Sequence, residues 1–257
     1  MIVTLRRGWV ALGGLAALIG FAALVFWASA PLEISATVQS GAAANAPVLS
    51  YVRTGTREVA LTFDDGPDPR NTPAILQLLS TYHAHATFFV LGSQAEMFPG
   101  LVKAIQRSGN EVASHAMTHR SLATLKPARV TYEITSTAGL IQELTGSQPL
   151  FFRPPYGTLT PVVIRAAQKL HETVTLWTID TRDWTGRSSA AITATVLAQL
   201  RPGAIILLHD GGGPRARTVQ SLRSILLALR QRGYRAVTLD QLVHDAQPQE
   251  AGAHTGL

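Results

Sequence analysis

Hydrophobic and polar positions divide the 257-residue chain into distinct stretches. Residues 9–30 carry no charged side chain, and residues 31–54 are mostly small and polar, without sustained periodicity. From residue 55 onward, short apolar runs alternate with segments whose apolar residues recur at helical spacing. This alternation predicts one α/β domain over residues 55–246, preceded by a linker (31–54) and followed by a disordered tail (247–257).

Seven apolar runs are interpreted as strands: Glu58–Phe63, Ala86–Leu91, Glu111–Ser114, Leu150–Arg153, Thr173–Ile179, Ala204–Leu208 and Arg235–Thr238. The helices predicted between them are Pro73–Tyr82, Pro99–Ser108, Pro127–Leu144, Pro161–Leu170, Ala190–Leu200 and Val219–Gln231. Several begin at or near proline, and Gly109 and Gly233 are predicted to end two of them. Alternating strands and helices indicate a parallel sheet, either a barrel or a doubly wound layer, and both bind ligands at the carboxyl ends of their strands.

The uncharged N-terminal stretch is long enough, as a helix, to cross a bilayer core of roughly 30 Å. Arg6 and Arg7 precede it, which predicts a cytoplasmic N-terminus and a transmembrane anchor. A cleaved signal peptide is the alternative, because Ala28-Ser29-Ala30 resembles a cleavage site, although Pro31 would then follow the cut. Both interpretations place the rest of the chain outside the cytoplasm.

Composition narrows the classes of protein. A hydrophobic content of 46% with 15% charged residues supports a sizeable core and excludes global disorder. The absence of cysteine excludes disulfides and thiolate metal sites. The net charge is +6, but no Lys/Arg cluster is interleaved with aromatic residues, which argues against a nucleic-acid partner.

Two polar motifs that follow predicted strands suggest a metal site. Asp64 and Asp65 are adjacent carboxylates, a costly arrangement that a cation or a chemical task would offset. His115 and His119 are four residues apart, within reach of a single ion. One Asp with two His leaves positions open for water, as in catalytic metal sites, but non-haem iron oxygenases use the same ligand set.

Further polar motifs follow the later strands. The first of these is Arg153-Pro154-Pro155-Tyr156-Gly157. Its two prolines restrict the backbone and have no N–H, so the first main-chain donor after them is the Tyr156 N–H. A rigidly held donor of this kind can stabilise an oxyanion. Arg153 supplies a charge for a carboxylate. His209 ends an apolar strand and is suited to proton delivery near neutral pH if a carboxylate orients it.

In this order, TFDDGP, SHAMTH, RPPYG, DTRDW and LLHD resemble the five motifs of the polysaccharide deacetylases, which are carbohydrate esterase family four or the NodB-homology domain. The resemblance covers about residues 55–245, with no departure at a key position. It implies a distorted (β/α) barrel with fewer than eight strands, in agreement with about seven parallel strands here, preceded by the transmembrane or signal helix.

The resemblance also implies roles for individual residues. A divalent metal, usually Zn²⁺ with Co²⁺, Ni²⁺ or Fe²⁺ as alternatives, would bind Asp65, His115 and His119. The catalytic set would be Asp64 as general base, His209 as proton donor, Arg153 paired with Asp64, Asp183 orienting His209, and the Tyr156 N–H at the oxyanion. Tyr156, Pro154, Trp184 and Leu207 would contact substrate.

The implied reaction is hydrolysis of N-acetyl groups on an N-acetylglucosamine-containing polysaccharide. The extracytoplasmic location favours peptidoglycan, and chitin, biofilm polysaccharide and acetylated xylan are family alternatives. The expected partners are the polysaccharide and, through the N-terminal helix, the membrane; the protein is expected to be a monomer. Competing hypotheses are a catalytically silent glycan-binding module, an iron oxygenase, and a related barrel enzyme that cleaves a cyclic imide.

Overall fold

The computed structural model describes residues 48–246. The predicted N-terminal helix (residues 1–30) and the predicted tail (247–257) lie outside the described residues. Within residues 48–246, no helix combines the length and apolar composition that crossing a bilayer requires.

One parallel sheet organises the domain. Its strands are β1 (Glu58–Asp64), β2 (Thr87–Val90), β3 (Glu111–Ser114), β4 (Phe151–Phe152), β5 (Thr173–Val174), β6 (Ile179–Asp180), β7 (Ile205–His209) and β8 (Arg235–Val237). They lie in the order β5-β4-β3-β2-β1-β7-β6, and β8 pairs with the start of β1. Every pairing between these strands is parallel, as the alternating pattern predicts.

The helices are α1 (Asn71–Thr81), α2 (Gly92–Met97), α3 (Pro99–Arg107), α4 (Pro127–Thr145), α5 (Pro161–Gln168), α6 (Ser189–Gln199), α7 (Ala216–Gln231) and α8 (Leu239–Asp245). The six predicted helices are all present, and Gly109 and Gly233 follow two of them in the left-handed conformation (φ +76° and +70°). The sequence did not predict α2 or α8. Because α2 has six residues and buries only Gly92 and Ala95, it carries no apolar periodicity.

The predicted strand Thr173–Ile179 is interrupted, and its two ends, β5 and β6, lie at opposite ends of the sheet. The linking residues change partners: the Thr175 N–H donates to Phe152 O (2.8 Å), and the Thr178 N–H donates to Ile205 O (2.8 Å). Four residues span at most about 14 Å, so the sheet must curl. The fold is therefore a curled half-barrel with seven parallel strands, one of them interrupted.

The end of the predicted linker packs against the sheet. The Leu49 N–H donates to Val174 O (2.8 Å) and the Val52 N–H to Gly203 O (3.0 Å). Both side chains are buried in a small core with residues of α8 and the inner side of the sheet. Leu49 and Tyr51 form isolated β-bridges with Thr175 and Ala204, so this segment is extended without belonging to a named strand.

β1 lies centrally in the sheet and buries all seven of its residues. Val59, Leu61 and Phe63 pack in the main hydrophobic cluster with residues of α1, α3, α6 and α7. The alternate residues, Thr62 and Asp64, point to the other side and bind the same guanidinium, that of Arg153. The period of β1 therefore carries Asp64 onto the inner side of the curl.

Candidate metal centre and active site

A cavity of about 620 Å³ opens at the carboxyl ends of the strands. The residues of the sequence-based prediction that line it are Asp64, Asp65, His115, His119, Pro154, Tyr156, Trp184, Leu207 and His209. The other two, Arg153 and Asp183, are buried and contact residues that line the cavity. The structure thus brings the predicted site residues to one place.

Asp65, His115 and His119 form a cluster whose ligand atoms all lie within 4.8 Å of one another. Asp65 Oδ1 is 3.4 Å from His115 Nε2 and 3.3 Å from His119 Nε2. Two ligands of one tetrahedral zinc ion stand about 3.3–3.5 Å apart, given ligand bonds of roughly 2.0–2.2 Å. Asp65 Oδ1 is buried and has no hydrogen-bond partner among residues 48–246. The cluster therefore fits a site for a divalent metal better than a set of side chains joined by hydrogen bonds.

The orientation of His115 suits metal binding. Its Nδ1 lies 2.6 Å from Arg153 O. A carbonyl oxygen only accepts, so Nδ1 carries the proton and donates, which leaves the Nε2 lone pair directed at Asp65.

The loop that carries His119 is held by Glu133, a fully buried residue of α4 that sequence reasoning missed. Its Oε2 accepts hydrogen bonds from the Thr118 N–H (2.7 Å) and the Thr118 Oγ1–H (3.0 Å). Its Oε1 faces Arg129 Nη2 at 3.0 Å. This carboxylate therefore positions the second histidine without touching it.

The contacts within this cluster also change the pKa values of Asp65 and His119. Burial raises the pKa of Asp65, but His115 and His119 beside it outweigh that effect and hold the pKa well below its usual range. Burial lowers the pKa of His119, against the opposing attraction of Asp65. An ionised Asp65 with a neutral His119 is the protonation state that a cation requires of its ligands.

Asp64 faces a fully buried guanidinium. Arg153 Nη1 donates to Asp64 Oδ1 (2.7 Å) and to Thr62 Oγ1 (2.8 Å). Its Nη2 donates to Leu176 O (2.9 Å), and its guanidinium carbon lies 4.0 Å from the centre of the Phe89 ring. These contacts fix the guanidinium, and with it one oxygen of the Asp64 carboxylate.

His209 and Asp183 form a second side-chain pair beside the cavity. His209 Nδ1 lies 2.7 Å from Asp183 Oδ1, and the His209 N–H donates to Asp183 Oδ2 (2.9 Å). Thr218 Oγ1 also donates to Asp183 Oδ2 (2.8 Å). Burial lowers the pKa of His209, but Asp183 more than compensates, so the pKa of the imidazole is raised. Burial raises the pKa of Asp183, but the hydrogen bonds from His209 and Thr218 lower it overall.

The remaining predicted residues form the cavity walls. Tyr156 has a left-handed backbone (φ 60°), and its ring centre lies 4.5 Å from that of His119. Leu207 is 4% exposed and pairs in register with Asp180, whereas Trp184 is 53% exposed. A nearly buried Leu207 offers an apolar surface that suits a methyl group.

Sequence reasoning did not assign three other polar or aromatic residues that line the cavity: Trp177, Asp180 and Arg215. Trp177 was interpreted as part of a continuous strand. It lines the cavity because the strand is interrupted there, and the sequence did not predict that interruption. Asp180 stands in a motif that was recognised, directly after a predicted strand. Its position at the end of that strand could have identified it as a residue that lines the cavity.

The fold and site define an α/β half-barrel with a two-histidine, one-carboxylate cluster flanked by an Asp–Arg pair and a His–Asp pair. The polysaccharide deacetylase family model matches residues 51–175. A chitooligosaccharide deacetylase of Bradyrhizobium sp. is 38% identical over 200 residues, which cover 73% of this chain and 91% of that protein. A peptidoglycan-N-acetylglucosamine deacetylase of Bacillus cereus is 39% identical, over 72% of this chain and 68% of that protein.

The similarity extends to solved structures. The crystal structure of the Bc1960 peptidoglycan N-acetylglucosamine deacetylase matches with a TM-score of 0.74 at 36% identity, over 77% of this chain and 92% of that one. The chain belongs to the polysaccharide deacetylase family, also called carbohydrate esterase family four. The resemblance stated from the sequence motifs is thereby confirmed.

Proposed function

We propose that this protein is a metal-dependent deacetylase that hydrolyses N-acetyl groups on an N-acetylglucosamine-containing polysaccharide, with peptidoglycan as the first substrate. One observation carries the proposal. The Asp65–His115–His119 cluster, the Asp64–Arg153 pair and the His209–Asp183 pair all meet at one cavity. Metal-dependent hydrolysis of an amide uses all three kinds of group: a cation site, a base and an acid.

Asp65, His115 and His119 would hold the metal, with zinc as the preferred ion. When bound, the ion would supply Lewis acidity to the amide carbonyl and to water. Asp64 would take the proton of the attacking water, while the Arg153 guanidinium holds the carboxylate in place. The Tyr156 N–H would donate to the oxygen that becomes negatively charged.

His209 would give a proton to the leaving amine nitrogen. Its raised pKa supports this role, because the imidazole stays protonated at higher pH than an ordinary histidine. Asp183 would hold the proton-bearing Nδ1, so that Nε2 is the nitrogen that donates. Leu207 and Trp184 would contact the acetyl methyl group, and Pro154 would line the substrate path. The products would be acetate and a glucosamine unit in the polymer.

The choice of polymer rests on relatives and location. The relatives described above are named for peptidoglycan and for chitooligosaccharide, so both are candidate substrates. An N-terminal anchor or signal peptide would deliver the domain to the cell envelope, where peptidoglycan is the more abundant polymer. We propose a monomer with an extracytoplasmic catalytic domain, attached to the membrane or secreted.

The test uses the purified full-length protein with peptidoglycan, chitin oligomers and acetylated xylan, each with and without a chelator. We expect acetate from an N-acetylglucosamine polymer, its loss with chelator and its recovery when zinc is restored. Zinc binding without acetate release from any polymer would instead support a silent glycan-binding module. Acetate release that the chelator leaves unchanged would contradict the metal assignment.

A further inference from the structure

A glycine-rich segment, Gly211–Arg215, joins β7 to α7 and lies directly against Asp65; we call it the glycine loop. The Gly211 N–H donates to Asp64 O (3.2 Å). A Cβ on Gly211 would lie 2.1 Å from Asp65 O, and a Cβ on Gly212 would lie 2.4 Å from Asp65 Oδ2. Gly212 also has φ +71°. Only glycine permits this approach, so the loop backbone bounds one side of the Asp65 carboxylate.

Arg215 holds this loop in place. Its Nε donates to Gly211 O (2.8 Å) and its Nη2 to Gly212 O (3.1 Å). The side chain thus bridges the carbonyls of the two glycines that touch Asp65. Arg215 is only 8% exposed, and it lines the same cavity as the metal cluster.

The position of Arg215 is unfavourable for the helix that it precedes. It is the N-cap residue of α7, it makes no side-chain capping bond, and the first turn of α7 has no acidic residue. A cation at a helix N-terminus is opposed by the helix dipole, and burying it adds a desolvation cost. The contacts with the glycine loop offset these costs, which indicates that the arrangement serves the loop rather than the helix.

We propose that Arg215 is a positioning residue for the metal centre. By fixing Gly211 and Gly212 it confines the Asp65 carboxylate, so that Oδ1 stays directed at His115 and His119. The Nε2 atoms of those two histidines lie 3.4 and 3.3 Å from Asp65 Oδ1. The glycine loop lies against Asp65 Oδ2 on the other side of the carboxylate. The inference rests on the metal assignment of the proposed function and extends it to a residue outside the ligand set.

The test measures the zinc affinity of the metal-free full-length protein by competition with a chromophoric chelator. Loss of groups that orient a metal ligand typically weakens binding about 10–100-fold, and we expect a loss of that size for Arg215→Gln. Gly212→Ala should cause a similar loss while it leaves Arg215 intact. With Co²⁺ as a probe, both variants should change the visible absorption spectrum, because the ligand geometry changes.

Two matched controls separate this effect from general damage. Arg223→Gln removes an exposed arginine from the same helix. Gly146→Ala places a methyl group at φ +78°, where nothing lies within 4 Å. Both should bind zinc within about twofold of the wild type, and circular dichroism should confirm that all variants are folded.

A His115→Ala variant distinguishes the two ways of failing. If it binds zinc like the wild type, the metal assignment itself is wrong. If it loses zinc while folded Arg215→Gln and Gly212→Ala keep wild-type affinity and an unchanged cobalt spectrum, the role of Arg215 is refuted. If Arg215→Gln does not fold, the result for Gly212→Ala decides.

Discussion

Buried carboxylates of the domain differ in whether they face a cation or an imidazole. At the carboxyl end of the sheet, Asp64, Asp65 and Asp183 each face a guanidinium or an imidazole, as Glu58 does at the amino end. Asp210, which follows β7, forms no ion pair among residues 48–246, and burial raises its pKa to about 7. At the amino end, both carboxylate oxygens of Glu172 are buried without a hydrogen-bond partner, and burial raises its pKa to about 9. Glu111, the first residue of β3, also has its pKa raised by burial, to about 7, although Thr87 and the Leu239 N–H donate to it.

The difference shows that burial alone does not identify a functional carboxylate. Removal from water by itself raises the pKa of a carboxyl group. Only a cation or an imidazole reverses the shift, as it does for Asp65 and Asp183. Glu172 lacks such a partner among residues 48–246 and its pKa stays raised, whereas the imidazoles beside Asp65 and Asp183 hold the pKa of those two groups down.

The largest expected effect comes from removing the charge of the proposed base. Asp64→Asn keeps the shape of the side chain but cannot take a proton, so we expect acetate release to fall about 10²–10⁴-fold. Zinc content, measured by metal analysis, should be unchanged, because Asp64 is outside the proposed ligand set. Turnover at the wild-type rate would show that another group is the base.

The next effect comes from removing the cation that faces Asp64. Arg153→Met leaves Asp64 buried without its cation, and breaking a buried pair typically costs about 3–5 kcal/mol of unfolding free energy. Denaturant unfolding measures this loss. The double variant Arg153→Met/Asp64→Asn should recover part of it, since no unpaired charge remains. If the double variant is no more stable than Arg153→Met, the pairing is not the source of the loss.

A smaller effect concerns the orienting carboxylate. Asp183 raises the pKa of His209, so Asp183→Asn should lower that pKa. A proton donor is lost as pH rises through its pKa, so the alkaline limb of the kcat/KM profile should move to lower pH. We expect the rate at neutral pH to fall about 10–100-fold. An alkaline limb that stays at its wild-type position would exclude His209 as the group that titrates.

The smallest expected effect on activity comes from Glu172, at the amino end of the sheet. The raised pKa of Glu172 means that the folded protein keeps a proton that the unfolded chain loses above about pH 4.5. Stability should therefore decline between about pH 4.5 and 9, by at most roughly 1.4 kcal/mol per pH unit. In Glu172→Gln this contribution to the slope should disappear without loss of activity.

The matched control for Glu172 is Glu96→Gln, which changes an exposed glutamate of α2. It should retain the wild-type dependence of unfolding free energy on pH. An equal change in slope for both variants would mean that Glu172 is not the source of the dependence.

Much of the site could be predicted because each predicted ligand or acid–base residue follows a strand. Parallel strands bring their carboxyl ends together, so Asp65, His115 and His209 were expected at one edge before any distance was known. Their roles remain predictions that the experiments above address. The positions depended only on alternation and on turn residues, both of which are local properties of the sequence.

What sequence reasoning missed depends on distant contacts. The break between β5 and β6 arises because the Thr178 N–H donates to Ile205 O, a partner 27 residues away along the chain. Glu133 stands within the long helix α4, and its contact with the His119 loop follows from how that helix packs. Arg215 lies outside the predicted helix, which was placed at Val219–Gln231 whereas α7 begins at Ala216. No local pattern marks any of these three.

The interrupted strand has a consequence for how the site tolerates mutation. The guanidinium of Arg153 is held partly by main-chain carbonyls, those of Thr175 (3.4 Å) and Leu176 (2.9 Å). A carbonyl group is present whatever side chain a residue carries, so these two acceptors survive substitutions at positions 175 and 176. Sequence drift in this segment can therefore change packing while these acceptors for Arg153, the partner of Asp64, are retained. The position of the guanidinium that faces the proposed base thus depends partly on the backbone conformation of this segment and less on its side chains.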